Sequence, residues 1–259
     1  MALLWVAPLG LIVGLALGSL GGGGAILTVP ALVYLLGQSP QAATTGSLII
    51  VGLTALAGTL PHRRKGNLRT RQGVVFGLLG IAGSFLGARL AAGVAPQVLM
   101  SAFAGLMFVV GALMIAKVRR AARAGGGRET TETKVRPVRL VLVATGVGVL
   151  TGFFGVGGGF AVVPALVLVL GLSMPVAVGT SLLVIAINSA TALFFRLGSG
   201  VELDWVAIGG FALFAVIGSL FGARVSQRIS PTTLTKAFIV MLLTVATYMA
   251  VANVPALFG

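Results

Sequence analysis

The chain has 259 residues, of which 58% are hydrophobic and 8% charged, and its formal net charge is +14. The windows 1–61, 72–88 and 90–116 contain no charged residue, and apolar runs of about 18 residues or more are typical of transmembrane helices, so an ordinary soluble domain is excluded. Lys and Arg concentrate in the segments 63–71 and 117–139, as in the loops of membrane proteins, which argues against a nucleic-acid partner. The absence of cysteine excludes disulfide and thiolate chemistry.

The first predicted element is an apolar run over 4–36 with the glycines 21–24 at its centre. As a helix these 33 residues would reach about 50 Å, too long for one span of roughly 30 Å and short for two. The run therefore predicts a helix pair broken at the glycines, or a re-entrant hairpin. No basic region precedes it, so we interpret it as a first span and not as a cleaved signal peptide.

Further spans are predicted over 43–60, 73–92 and 98–116, with the sole histidine, His62, in a basic loop after the first of them. A polar, Gly-rich linker over 117–138 follows. We expect a first transmembrane repeat over 1–116, this linker, and a second transmembrane repeat over 139–259.

The second half repeats the first, because 140–171 matches the opening segment and 176–195 matches the span over 43–60. In the glycine segment the matching positions are Gly14, Gly18, Gly21, Gly23, Gly24 and Pro30 with Gly148, Gly152, Gly155, Gly157, Gly158 and Pro164. Internal repeats of this kind are typical of secondary transporters. The predicted fold is an all-α polytopic membrane protein with two homologous halves, each a Gly-broken or re-entrant helix pair plus three transmembrane helices.

Loop charges favour halves of inverted orientation. The basic loop over 62–72 corresponds to 196–204, which holds one arginine and two acidic residues. Positive loops stay in the cytoplasm, so equivalent loops are predicted on opposite sides, with both termini outside and the basic linker inside.

The chain has four acidic residues, Glu129, Glu132, Glu202 and Asp204, all in predicted loops. The usual intramembrane carboxylate relay, a metal or cofactor site and an enzyme active site are therefore not expected. A helix that restarts after a break offers free backbone N–H groups and a partial positive charge to an anion. The sequence thus predicts a small anionic substrate, bound by the amides of Gly22, Gly23, Gly24, Ala25, Gly157, Gly158, Gly159 and Phe160.

Other glycines lie four residues apart and are interpreted as helix-packing positions; they are Gly10, Gly14 and Gly18, the pair Gly83 and Gly87, and the pair Gly218 and Gly222. Within the second span of each half, Ser47, Thr180, Ser181 and Asn188 are candidate donors to an anion, or else bond neighbouring helices or their own backbone. That second role is favoured for Thr44, Thr45, Thr54, Ser189 and Thr191. Arg89 and Arg224 would attract anions at the two vestibules, or else reach towards lipid headgroups.

The duplicated segment ending Pro-Ala-Leu-Val, followed by Thr-Gly-Ser47 or Gly-Thr-Ser181, resembles the TauE/SafE sulfite exporter family, as do the paired Gly-Ser-x-x-Gly-Ala-Arg motifs. The resemblance implies a multi-pass bacterial inner-membrane transporter that exports sulfur-containing anions such as sulfite, sulfoacetate and related organosulfonates, with membrane lipids as its surroundings. After the second span, members of the family often have a His or Arg, then a Gly, then an acidic residue and a Trp. The second half matches this pattern with Arg196, Gly200, Asp204 and Trp205, whereas the first half has only His62 and Gly66. A channel or a non-transporting membrane subunit is the alternative, and the oligomeric state stays open.

Overall fold

The computed structural model describes residues 2–91, 93–94, 96–123, 137–154, 159–196 and 202–253. These residues form ten α-helices and no strand, and seven of the helices are long and apolar enough to cross a membrane. The all-α polytopic prediction is therefore confirmed, with a broken pair and three further helices in each half. The helices are α1 (Ala2–Leu20), α2 (Gly23–Pro30), α3 (Pro40–Arg64), α4 (Thr70–Ala91), α5 (Pro96–Arg123), α6 (Pro137–Phe154), α7 (Gly159–Leu168), α8 (Met174–Arg196), α9 (Trp205–Ser226) and α10 (Pro231–Asn253).

Proline and polar caps set several helix starts. Four helices begin at a proline, whose missing N–H is harmless in the first turn. Ser39 Oγ accepts from the Ala42 N–H at 3.2 Å at the start of α3, and Asp204 Oδ1 accepts from the N–H groups of Val206 and Ala207 at the start of α9. The acidic Asp204 thus serves α9 as its N-cap.

Two helices run further than the hydrophobicity of the sequence predicts. Helix α3 continues past Pro61 to Arg64, and α5 continues to Arg123 through the first residues of the predicted linker. Pro61 lies one turn from the end of α3, so its missing N–H costs the helix a single backbone bond. Linker residues 124–136 lie outside the described part of the chain, and the last two residues of the predicted linker, 137 and 138, begin α6.

The segment after each broken pair has two backbone features in common between the halves. A π-helical turn, Ala31–Leu35, extends α2 before Gly37, whose φ is 66°; Gly171, 134 residues later, has a φ of 71° after α7. Gln38 N donates to Leu32 O at 3.1 Å, and Leu172 N donates to Leu166 O at 3.0 Å. Positive φ favours glycine, so these equivalent glycines follow the two short helices in the same way. We call these short helices, α2 and α7, the re-entrant helices.

Helices α3 and α8 are equivalent in the two repeats and pack antiparallel at the centre of the bundle. Arg196, the last residue of α8, donates to Thr44 Oγ1 near the start of α3 at 2.9 Å. Halfway along, a Cβ placed on Gly52 would lie 3.2 Å from Ser189 Cβ, and one on Gly58 would lie 3.1 Å from Leu182 Cδ1. As the residue numbers rise along α3, those of the contacting residues fall along α8.

The first helix of each half packs on the fourth helix of the other, α1 on α9 and α6 on α4. A Cβ on Gly10 would lie 2.9 Å from Phe211 O, and one on Gly148 would lie 2.8 Å from Gly80 Cα. Cβ atoms on Gly14, Gly18, Gly83, Gly87, Gly218 and Gly222 would likewise overlap the backbone of the facing helix. The packing role predicted for these glycines is therefore confirmed, and it interlocks the two halves.

We call the end of the bundle where α3 and α5 finish the basic end, because Arg63, Arg64, Arg119, Arg120 and Arg123 lie there. Helices α8 and α10 start at this end and α9 finishes there. Lys117 Nζ donates to the carbonyl of Val167 in the last turn of α7, so α7 also finishes at the basic end. Arg89, Arg196, Glu202 and Asp204 lie at the opposite end.

Candidate functional site

The two glycine breaks meet at the centre of the bundle. A Cβ on Gly159 would lie 2.9 Å from Gly22 Cα and 3.0 Å from Ile185 Cδ1, and one on Gly22 would overlap the Gly159 carbonyl and lie 2.5 Å from Phe160 N. Ile185 is the middle residue of α8, so the contact lies half-way across the bundle. We call this contact between Gly22 and Gly159 the crossing; only glycine allows backbones to approach so closely.

Both re-entrant helices start at the crossing and leave it in opposite directions. Helix α2 leads to the start of α3 at the opposite end, whereas α7 finishes beside Lys117 at the basic end. Their N-terminal ends therefore converge. The first turn of a helix has N–H groups without partners in the helix and carries partial positive charge, and Gly22 provides no side-chain cap for α2. The arrangement concentrates donors and positive potential where the repeats meet.

Ser181 lies beside the first break. A Cβ on Gly21, whose φ is 74°, would lie 2.5 Å from Ser181 Oγ. The Ser181 hydroxyl is fully buried and donates to Val178 O of its own helix at 2.8 Å. Ser47, its counterpart in α3, donates to Thr44 O at 2.8 Å. The backbone-bonding alternative thus describes both hydroxyls, and Ser181 in addition contacts the break.

The other candidate residues of the two glycine segments have different surroundings. Gly24 faces α1, since a Cβ there would lie 2.6 Å from Val13 O, and Ala25 packs against the small buried cluster that contains Ile185. The ring of Phe160 packs edge-to-face on Phe103, with centroids 4.6 Å apart, so only its backbone faces Gly22. Gly23 is the first residue of α2. Gly157 and Gly158 lie outside the described residues.

Thr180 and Asn188 lie on α8 with different surroundings. Thr180 Oγ1 accepts from the Arg69 N–H at 3.1 Å, so Thr180 fastens the segment before α4. Asn188 faces α4 at Gly80, where a Cβ would lie 4.0 Å from its carboxamide. Asn188 Oδ1 is buried and has no hydrogen-bond partner among the described residues, and Thr54 Oγ1, at the equivalent position of α3, is also buried without one. The central helix of each half thus has an unsatisfied polar atom at this equivalent position, which is costly unless a ligand or water pairs with it.

The two vestibule arginines lie at opposite ends of the bundle. Arg89 is exposed in the last turn of α4, with its guanidinium carbon 5.0 Å from the centre of the Phe85 ring. Arg224 is exposed in the last turn of α9 at the basic end. Both stand at surfaces, far along the helices from the crossing.

His62 is the residue that the sequence analysis placed wrongly. It does not lie in a loop: it is in the last turn of α3, fully buried, with Nε2 3.2 Å from Gly18 O of α1. The adjacent Arg63 and Arg64 are exposed, because successive helical residues turn by about 100° and one of them must face inward. The charged run suggested a loop, while the match of His62 to Arg196 in the repeat was the signal for a special position.

A groove of about 700 Å³ between α3 and α9 is a second concave feature. Its walls are leucine, alanine, valine and glycine, with Thr59 and Arg63 as the polar members. It faces the outer surface of the bundle and lacks convergent donors, so it does not suit a small anion. Within the described residues no three His, Cys, Asp or Glu side chains come together as a metal site would need.

Comparison with known proteins agrees with this architecture. The sequence model of the family described as "Sulfite exporter TauE/SafE" matches residues 6–249. The chain belongs to the TauE/SafE family. A "Probable membrane transporter protein" of Xylella fastidiosa is 34% identical over 242 residues, covering 92% of this chain and 90% of that protein.

More distant relatives of the TauE/SafE protein carry similar names. The "Probable membrane transporter protein YdhB" of Bacillus subtilis is 29% identical, covering 84% of this chain and 86% of its own length. The "Probable membrane transporter protein MJ0441" of Methanocaldococcus jannaschii is 26% identical, covering 88% and 89%. No solved structure matches the chain. The family and the names of the relatives support a multi-pass membrane transporter.

Proposed function

We propose that this TauE/SafE protein is a secondary transporter that exports small sulfur-containing anions, such as sulfite, sulfoacetate, thiosulfate or related organosulfonates, across a bacterial inner membrane. The observation that carries the proposal is the crossing, where the starts of α2 and α7 converge from the two repeats. Oxyanions suit such a site because backbone N–H groups and helix N-termini bind them without a cationic side chain. The sulfur chemistry of the substrate comes from the name of the family.

The two halves act as inverted repeats in this proposal. Support comes from the antiparallel packing of the equivalent helices α3 and α8, and from Gly111 of α5, whose Cβ would lie 2.7 Å from Leu243 Cδ2 of the equivalent helix α10. The basic end faces the cytoplasm, following the positive-inside rule. Rocking of one repeat against the other would then expose the crossing to each side in turn.

The membrane potential supplies a driving force for export. With an inside-negative potential, each negative charge that leaves gains about 2.3 kcal/mol per 100 mV. The backbones of Gly22 and Gly159 are in contact at the centre of the bundle, which leaves no open passage between them. This contact favours a transport cycle over a continuously open channel. An anion must displace or flank this contact, so binding and movement of the breaks are coupled.

The test is an anion panel on purified protein and in proteoliposomes. Thiosulfate, sulfite and simple sulfonates are expected to raise the unfolding temperature in a saturable way. Their efflux from proteoliposomes should follow an imposed potassium diffusion potential. Flux that rises linearly with concentration would indicate a channel. Flux unchanged when the potential is clamped at zero would exclude potential-driven export.

A matched pair of serine variants locates the site. Ser181 and Ser226 are both buried and both bond the carbonyl three residues earlier, but only Ser181 contacts a break. Ser181→Ala should weaken anion binding about tenfold, the effect of one hydrogen bond to a charged group, whereas Ser226→Ala should not change it. Equal effects of the two substitutions would remove the site from the crossing.

A further inference from the structure

His62 is a buried titratable side chain that the proposed transport cycle does not use. Its Nε2 is 3.2 Å from Gly18 O, and its Nδ1 is buried without a hydrogen-bond partner among the described residues. Gly18 lies in the last turn of α1, directly before the break that contains Gly21 and Gly22. The imidazole therefore stands next to the last turn of α1, close to the crossing.

The second repeat carries a permanent cation at the equivalent position. Arg196, 134 residues after His62, is exposed and donates to the hydroxyls of Thr44 and Thr45. The residues of α8 that match these threonines are Val178 and Gly179, which offer no hydroxyl. A Cβ on Gly179 would lie 2.8 Å from His62 Cβ. One repeat thus has a fixed, solvated cation, and the other has a buried group that becomes a cation only on binding a proton.

Among the described elements around His62, no acidic side chain is placed to balance a charged imidazole. Of the elements around it, α1 carries no charged residue, α8 carries only Arg196 at its far end, and α9 carries only Arg224. Segment 65–69 adds Lys65 and Arg69, α3 itself adds Arg63 and Arg64, and α4, which packs on α8, adds Arg71 and Arg89. A buried imidazolium without a counter-charge is unfavourable, so an anion at the crossing would be its natural partner.

We propose that His62 is a proton-binding site linked to anion occupancy of the crossing, so that anion binding draws a proton onto the imidazole. The inference rests on the proposed anion site. Linkage is reciprocal: if the proton favours the anion, the anion favours the proton by the same factor. Coupling between two linked binding sites typically amounts to a factor of about 5 to 150. If the proton travels with a divalent anion, the complex still carries a net negative charge and the potential still drives its export.

The experiment uses calorimetric titration of the full-length, tag-free protein with thiosulfate, whose charge is constant between about pH 5 and 8, the range in which histidine titrates. Two buffers that differ in ionisation enthalpy report the protons taken up per anion. The wild type is expected to take up about half a proton per thiosulfate at the pH where uptake is greatest, and its affinity should fall about tenfold as the pH rises across this range.

His62→Gln is the deciding variant, because a glutamine amide can still donate to Gly18 O but does not titrate. It should bind thiosulfate without proton uptake and with an affinity independent of pH. Arg64→Gln is the matched control, because it introduces the same glutamine two residues later at an exposed position. It should leave both the proton uptake and the pH dependence of the affinity as in the wild type. Proton uptake that persists in His62→Gln would overturn the inference.

Because His62 is the sole histidine, the wild type itself provides a second measurement. In protein labelled with nitrogen-15 histidine, thiosulfate should shift the imidazole resonances towards those of the protonated form at a fixed pH about half a unit above the midpoint measured without thiosulfate. Unchanged resonances with saturating thiosulfate would overturn the inference while leaving the proposed function intact. Failure of the whole anion panel to bind would overturn both.

Discussion

The backbone of Gly22 contacts that of Gly159 across the interface of the two repeats, and a Cβ on Gly159 would lie 2.9 Å from Gly22 Cα. Gly22 is the N-cap of α2 and Gly159 is the first residue of α7, so one contact fixes both helix starts. A transporter whose repeats meet through bare backbone has a centre that side chains cannot enter without separating the halves.

Gly22→Ala is therefore expected to destabilise the protein by about 1–3 kcal/mol, the usual cost of overpacking, and to weaken stabilisation by thiosulfate. Gly209→Ala is the control, because a Cβ at Gly209 meets nothing within 4 Å; it should leave stability unchanged or raise it by as much as about 1 kcal/mol. Unfolding in detergent micelles, with and without thiosulfate, measures both effects. A Gly22→Ala protein as stable as Gly209→Ala would contradict the crossing.

The sequence predicted the breaks, the repeats and the packing glycines, because consecutive glycines and four-residue spacings have direct consequences for helices. It did not predict which helices pack on these glycines. The spacing of Gly14 and Gly18 indicates a face for close helix packing, but it does not indicate that α9 is the helix that packs there. His62 was missed for a related reason. A helix end rich in charge resembles a loop in composition, and only the packing of α3 against α1 and α8 decides which side chain turns inward.

Thr54 offers a test that separates stability from function. Its hydroxyl is fully buried without a partner among the described residues, and its backbone carbonyl accepts from Ser219 Oγ at 3.1 Å. Thr54→Val keeps the shape and removes the unpaired oxygen, so it should raise the free energy of unfolding by about 0.5–1 kcal/mol. If the hydroxyl serves the anion path, efflux should fall at the same time, as is common when a functional polar group is removed from a core.

Thr45 provides the comparison for Thr54. Its hydroxyl already bonds Gln41 O at 3.0 Å and receives a bond from Arg196, so Thr45→Val should cost stability instead of adding it. Unfolding curves and proteoliposome efflux are measured on both variants. A loss of stability in Thr54→Val would show that the hydroxyl has a structural partner, and full efflux in a stabilised variant would remove it from the path.

The bonds from Arg196 to Thr44 and Thr45 fasten the end of α8 to the start of α3, at 2.9 and 3.1 Å. A double-mutant cycle with Arg196→Gln and Thr45→Val should give a coupling free energy of about 0.5–1 kcal/mol, small because the guanidinium is exposed. Loss of this tie should also make the opposite end open more easily, raising hydrogen exchange at the start of α3. Additive effects within error would show that the contact contributes nothing.

Ser39 and Ser173 test the orientation of the repeats. They occupy equivalent positions 134 residues apart, and each carbonyl accepts the first backbone bond of its helix, from Ala43 N at 2.8 Å and from Ala177 N at 2.9 Å. The chain has no cysteine, so Ser39→Cys and Ser173→Cys each introduce a single thiol by a nearly isosteric change. Inverted repeats place these thiols on opposite sides: an impermeant maleimide added to intact cells should label Ser39→Cys, and only inverted vesicles should allow labelling of Ser173→Cys. Labelling of both variants from the same side would mean that the halves are parallel, and a shared site built from two opposed helix starts would then have to be abandoned.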